Sequence, residues 1–287
     1  MLLLIKNIFV CIVIVSIVGI DNAWAWGPAT HLHYGYEILS QLHLLPTAMA
    51  ELLNRYPKVY LYGTISADIV LAKKFGKDFQ HCHHWHNGFS LLDYANSERE
   101  QAFVWGYLSH LAADCISHNC FVPSHMVLSY DKKFLNHMYW ELRFDQMLTN
   151  EKILDLFKEL SEGDFEDCDA LFEKHIQVRV MDFSFNKKVF QKILVLQGVK
   201  QWQNMLQKMQ NSDRWQLSPE TVQDYCDRSL NAVQDLLNFK QNAAILEHDP
   251  RGVDKHKLAG QYRKQMRLAF NVQEHDVYAK VKELEQL

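Results

Sequence analysis

The stretch from Glu98 to Glu141 constrains this chain more than any other part of it. His110, Asp114 and His118 recur at four-residue intervals. A helix from Glu98 to Asn119 projects all three from one face within about two turns. After a break expected at Pro123, His137 and Glu141 repeat the i, i+4 spacing on a second helical pattern. Imidazole and carboxylate together suit zinc, and a shared carboxylate such as Asp114 can bridge two ions. Two helices decorated in this way can hold a metal cluster between them. The competing reading is a helix-surface His–Asp pair with the other groups scattered, and spacing alone weighs the two evenly.

The amino terminus reads as a secretory leader. Residues 1–25 carry a long apolar run and small residues at Ala23 and Ala25 around Trp24, an A-x-A cleavage pattern. The run from Ile8 to Ile20 falls short of the roughly 20 residues of a membrane span and lacks a stop-transfer flank, which disfavours a retained anchor. The expected location is therefore secreted or periplasmic. Removal of the leader takes Lys6 and Asp21 and keeps the formal charge at −4, so no basic footprint for nucleic acid remains. Cys11 leaves too, and Cys82, Cys115, Cys120, Cys168 and Cys226 remain, an odd set with no C-x-x-C motif. At least one thiol is then free or intermolecular, and Cys115 and Cys120 read as small packing residues.

Cleavage after Ala25 would make Trp26 the first residue. A free α-amino group and its own carbonyl chelate a metal in a five-membered ring, and His31 is close enough in sequence to join. The alternative is an ordinary frayed terminus, against which Gly27-Pro28 argues by fixing a turn before a helix from about Thr30. Asp68 follows Ser-Ala among apolar residues and must be capped, paired or metal-bound. His81-Cys82-His83-His84-Trp85-His86 is the densest imidazole run, either a surface tract or a segment with at least one histidine turned inward.

Beyond Glu141 the pattern stays helical: Glu151–Leu160, then an acidic loop around Gly163–Asp169, then Leu171–Val180 and Lys187–Asn211. Ser218-Pro219 is a helix-start signature for a helix running to about Leu246. His248-Asp249-Pro250-Arg251-Gly252 breaks it, and a final helix is expected from Lys257. His175, His248, His256 and His275 lack partners at helical spacing and read as solvated. Trp202, Met205 and Met209 form an apolar stripe that reads as core. With no alternating strand pattern, the expected fold is all α. The domain plan is a zinc-cluster helical core over residues 26–145 and a helical carboxy-terminal region over 146–287, packed on that core.

Taken together, these residues resemble the zinc-dependent phospholipase C family and its relatives, the fungal single-strand-specific zinc nucleases. That family carries a mature amino-terminal Trp, an early His, an Asp, a His with an aromatic two places on, H-x-x-x-D, a further His and H-x-x-x-E. In the same order this chain has Trp26, His31, Asp68, His83 before Trp85, His110 with Asp114, His118, and His137 with Glu141. The resemblance implies three zinc ions: one on Trp26, His31 and Asp114, a second on Asp68, His83, His110 and Asp114, a third on His118, His137 and Glu141. His84 competes with His83 as ligand, and His86 stands where the family has an Asp. Three residues lie between Asp114 and His118 where secreted phospholipases have five, and the sequence around them looks closer to a bacterial branch. The resemblance reaches from Trp26 to about Glu141, and the carboxy-terminal half does not read as a β-sandwich lipid-binding module.

The activity implied is phosphodiester hydrolysis by water activated at paired zinc ions, with Asp68 as the catalytic residue that orients or deprotonates that water and the third ion taking the leaving alkoxide. The expected substrate is a phospholipid or other phosphodiester, with transient membrane-surface contact. A zinc-dependent nuclease and a non-catalytic zinc-binding envelope protein are the alternatives.

Overall fold

A capping box starts the helix that carries the ligand row. Ser97 Oγ accepts the Glu100 amide at 3.1 Å and the Glu100 carboxylate accepts the Ser97 amide at 3.0 Å, satisfying two amides that would otherwise have no helical partner. The computed structural model describes residues 27–69, 82–132, 137–176 and 217–286. The leader, Trp26, the helix expected over Lys187–Asn211 and the Trp202/Met205/Met209 stripe lie outside the described residues.

Every regular element described is helical, and no strand occurs among the described residues. In chain order the helices are α1 (Pro28–Ser40), α2 (Thr47–Arg55), α3 (Pro57–Ser66), α4 (Trp85–Tyr94), α5 (Glu98–Ile116), α6 (Val122–Leu128), α7 (His137–Leu148), α8 (Glu151–Ser161), α9 (Glu166–His175), α10 (Pro219–Phe239), α11 (Val253–Leu268) and α12 (Glu274–Leu284). The fold class is all α, as the sequence predicts. None of these helices is long and apolar enough to cross a membrane.

The fold is built around α5. From Ala102 to Ile116 every one of its residues is buried, so the helix is wrapped by neighbours on all sides. Each buried Leu or Phe on it, Leu108 and Phe103 among them, contributes about 1.5–3 kcal/mol. This apolar burial is what holds a polar ligand row inside the protein. Helix α3 crosses α5 at Gly63 and Gly106, where a Cβ on either would lie 2.9 Å from the other's Cα. Helices α1, α4 and α10 pack around the same centre. One hydrophobic core runs from Ala29 to Ile245, and a smaller one joins Val127 of α6 to α11 and α12.

Four boundaries differ from the sequence reading. The chain does not break at Pro123: a π-helical turn, Ser117–Phe121, joins α5 to α6, and Pro123 falls in the first turn of α6. A missing amide is tolerated there, and the wider turn absorbs the change of register. Helix α10 ends at Phe239 rather than near Leu246, because Lys240 takes a positive φ and Asp235 accepts the Ile245 amide at 3.0 Å, turning the chain back. The last helix is two helices, α11 starting at Val253 and α12 at Glu274, while α9 starts at Glu166 inside the expected acidic loop. Ser218 caps α10 as its sequence requires, accepting the Thr221 amide at 3.1 Å.

Candidate metal centre

Asp114 sits at the middle of α5 with both carboxylate oxygens out of contact with water, and neither accepts a hydrogen bond. Three imidazoles converge on it. His31 Nε2 lies 3.2 Å from Oδ1, and His83 Nε2 and His110 Nε2 each lie 3.2 Å from Oδ2. His83 Nε2 and His110 Nε2 are 3.1 Å apart, and Asp68 Oδ1 is 3.8 Å from His83 Nε2. All five side chains are essentially solvent-free.

They come from four parts of the chain, with His110 and Asp114 one turn apart on α5. His31 rides the first turns of α1, Asp68 stands in the 3₁₀ turn Ala67–Ile69 at the end of α3, and His83 lies in the turn before α4. The Tyr107 hydroxyl donates to the Cys82 carbonyl and so ties the His83 turn to α5. His110 Nδ1 is 2.8 Å from the Thr64 carbonyl. A carbonyl can only accept, so Nδ1 carries the proton and the Nε2 lone pair faces the cluster, the arrangement a metal-ligating histidine requires. His31 stacks on His110 with ring centroids 3.7 Å apart.

Electrostatics favour the same outcome. Burial would raise the Asp114 carboxyl, but the facing His110, His31 and His83 rings outweigh it and hold it well below the ordinary carboxylate range. Burial, reinforced by His110, lowers His31, keeping the ring neutral. An ionised carboxylate and neutral imidazole nitrogens are the protonation states that bind zinc.

A second group lies beyond the π turn. His118, His137 and His256 each place a ring nitrogen within 4.8 Å of the others. His118 Nδ1 is 3.0 Å from His256 Nε2, the His137 and His256 rings stack at 4.5 Å, and His137 Nε2 pairs with the buried Glu141 carboxylate one turn on. Burial, with His137 adding to it, holds His118 well below its ordinary value. His256 is lowered to about 4 by burial. Among the described ligand-type residues the open side of the cluster is here, since His137 keeps 17% of its side-chain surface while Asp114 keeps 0%.

The spacings are compatible with donors that share metal ions. Ligands about 2.0 Å from a tetrahedral ion stand about 3.3 Å from one another, and the separations run from 3.0 to 3.2 Å among the histidines and Asp114, with Asp68 3.8 Å from His83. A buried carboxylate that accepts no hydrogen bond costs several kcal/mol, which divalent charge offsets. These donors therefore fit zinc.

Against the model of the zinc-dependent phospholipase C family, residues 30–193 match. The chain belongs to this family. No curated protein and no solved structure matches it.

As a family member, the chain is of a zinc-dependent phosphodiesterase type. Of the candidate ligands, the structure brings His31, Asp68, His83, His110 and Asp114 to one place and His118, His137 and Glu141 to a neighbouring one. Trp26 lies outside the described residues. In the histidine run His83 turns inward, while His84 is partly exposed and His86 exposed. The five cysteines are buried thiols, none in a disulfide.

The sequence reading of His256 as solvated is overturned, because α11 lays it against His118 and His137. No acidic or imidazole partner stands at helical spacing from it, so no local pattern reveals the contact. Asp145 was also missed. Buried on the face of α7 that carries Glu141, it accepts from the Thr30 amide at 2.7 Å and the Thr30 hydroxyl at 2.9 Å. It thereby caps the helix that presents His31. Burial raises it to about 6, the Thr30 bonds opposing. The helical spacing Glu141–Asp145 was the available signal.

Proposed function

We propose that this protein is an exported phospholipase C-type hydrolase that cleaves a phospholipid phosphodiester. The observation that carries the reading is the Asp114 carboxylate, dry and hydrogen-bond-free, faced by His31, His83 and His110. Trp26, His31 and Asp114 would hold one zinc, Asp68, His83, His110 and Asp114 a second, and His118, His137 and Glu141 a third. Bound there, zinc lowers the pKa of water toward about 7 and neutralises phosphate charge.

The chain's own residues do the rest. Asp68 orients the attacking water and takes its proton. Asp114 would serve both paired sites, with His31 facing its Oδ1 and His83 and His110 facing its Oδ2. The Thr64 carbonyl holds His110 in its ligating tautomer, and Asp145 holds the amino-terminal turn of α1 that delivers His31. The apolar wrapping of α5 keeps bulk water from the buried side, which strengthens every charge interaction there.

The test is the Asp68→Asn variant of the processed protein, assayed with a chromogenic phosphocholine ester. Retained helicity with lost turnover is expected, and unchanged hydrolysis removes Asp68 from the mechanism. Single-stranded DNA in a parallel assay separates a nuclease. Three bound zinc ions with neither activity would identify a zinc-binding envelope protein instead. An extra residue placed before Trp26 is expected to cost one zinc and the activity.

A further inference from the structure

From the geometry we infer that His256, delivered by α11, is a fourth protein ligand of the ion held by His118, His137 and Glu141. The inference rests on the three-zinc reading above and adds to it a residue from outside the family match, which ends at residue 193.

Three independent observations carry it. The nitrogen atoms of His118, His137 and His256 lie within 4.8 Å of one another, and the His118–His256 separation of 3.0 Å lets both rings reach a single ion. The loop before α11 is fastened to the cluster from two sides: Trp85 Nε1 donates to the His248 carbonyl at 2.8 Å, and Asn119 Nδ2 to the Asp249 carbonyl at 2.9 Å. Gly252 then starts α11 at φ +53, with its Cα packed so tightly that a Cβ would lie 2.8 Å from the Cβ of His118. A left-handed residue without a side chain is what this close approach demands. It places His256, one turn into α11, with its amide bonded to the Gly252 carbonyl at 2.9 Å, beside the two other rings.

Three imidazoles, with the Glu141 carboxylate beside His137, would make a set of four ligands. His256 would thus latch the carboxy-terminal helices to that ion, at the side of the cluster where His137 keeps some exposure.

The test uses the full processed chain. Zinc content and affinity are measured for the wild type, His256→Ala and His256→Gln, and the cobalt-substituted H256C protein is examined by absorption. Three zinc ions are expected in the wild type, with one of them bound at least about 10-fold more weakly in both His256 variants. The cobalt form of H256C should show a near-ultraviolet thiolate-to-cobalt charge-transfer band that the cobalt wild type lacks. This signature depends on direct coordination and not on the stability of the alanine variant. Unchanged third-site affinity in the variants, or three bound cobalt ions without the new band, overturns the inference and leaves the phosphodiesterase reading standing. A wild type without zinc overturns both.

Discussion

Gly63 and Gly106 meet backbone to backbone where α3 crosses α5, and a Cβ on either would overlap a carbonyl oxygen of the facing helix and lie 2.9 Å from the facing Cα. The crossing sets the distance between the end of α3, with Thr64 and Asp68, and His110 on α5.

Gly106→Ala must push these helices apart. Overpacking of this kind costs about 1–3 kcal/mol or more, which for a protein this size lowers the melting temperature by about 2–4 °C per kcal/mol. Because His110 moves away from the Thr64 carbonyl, zinc affinity should fall as well. Calorimetry and metal titration check both, and a variant with wild-type melting and metal binding contradicts the assigned role of the crossing.

Asp114→Asn preserves shape and removes the charge that His31, His83 and His110 face. Both paired sites should weaken by more than the roughly 10–100-fold typical of losing an outer-shell partner, while the ion on His118, His137 and Glu141 stays. Metal analysis after dialysis should show one ion left of three, and full retention of all three would rule out a shared carboxylate.

Zinc removal should destabilise the fold. Binding to the native state alone adds about 2.7 kcal/mol per site at a free ion concentration 100-fold above Kd, and the metal-free centre leaves Asp114 buried with no hydrogen bond. A strong chelator should therefore lower the melting temperature by several degrees, with recovery on adding zinc. Identical melting curves with and without chelator would count against resident metal.

His125 provides a pH test away from the ligands. Its Nδ1 donates to the Phe121 carbonyl at 2.7 Å, and burial lowers its pKa to about 4. The folded state then binds fewer protons than the unfolded state, whose histidine titrates near 6.5, so stability is lost as pH falls through the window from about 6.5 to 4. By pH 5 the loss from this one group is about 2 kcal/mol. Gln at this position keeps an amide donor and does not titrate, so the stability gap between wild type and His125→Gln should narrow by about that much from pH 7 to pH 5. Urea unfolding at the two values measures it, and a gap independent of pH refutes the burial argument.

Much of the candidate centre was legible because its donors sit at local spacings. His110 with Asp114 and His137 with Glu141 are one helical turn apart, so periodicity alone pairs them. Asp68 and His83 were legible through the order of residues shared with the family. The unbroken run through the π turn was not, since proline in sequence reads as a stop and only packing permits it to open a new helix. Asp145 escaped because its partner, Thr30, is 115 residues away.

The sequence by itself determined an all-helical chain and a ligand set suited to zinc, because helical periodicity and donor chemistry are local properties. The tertiary structure decided that His83, rather than His84, turns inward, and that His256 stands 3.0 Å from His118 across 138 residues of chain. Such contacts depend on a close glycine crossing, a left-handed Gly252 and a loop fastened by Trp85 and Asn119. None of these leaves a periodic trace, since they arise from surfaces that meet only when the helices pack.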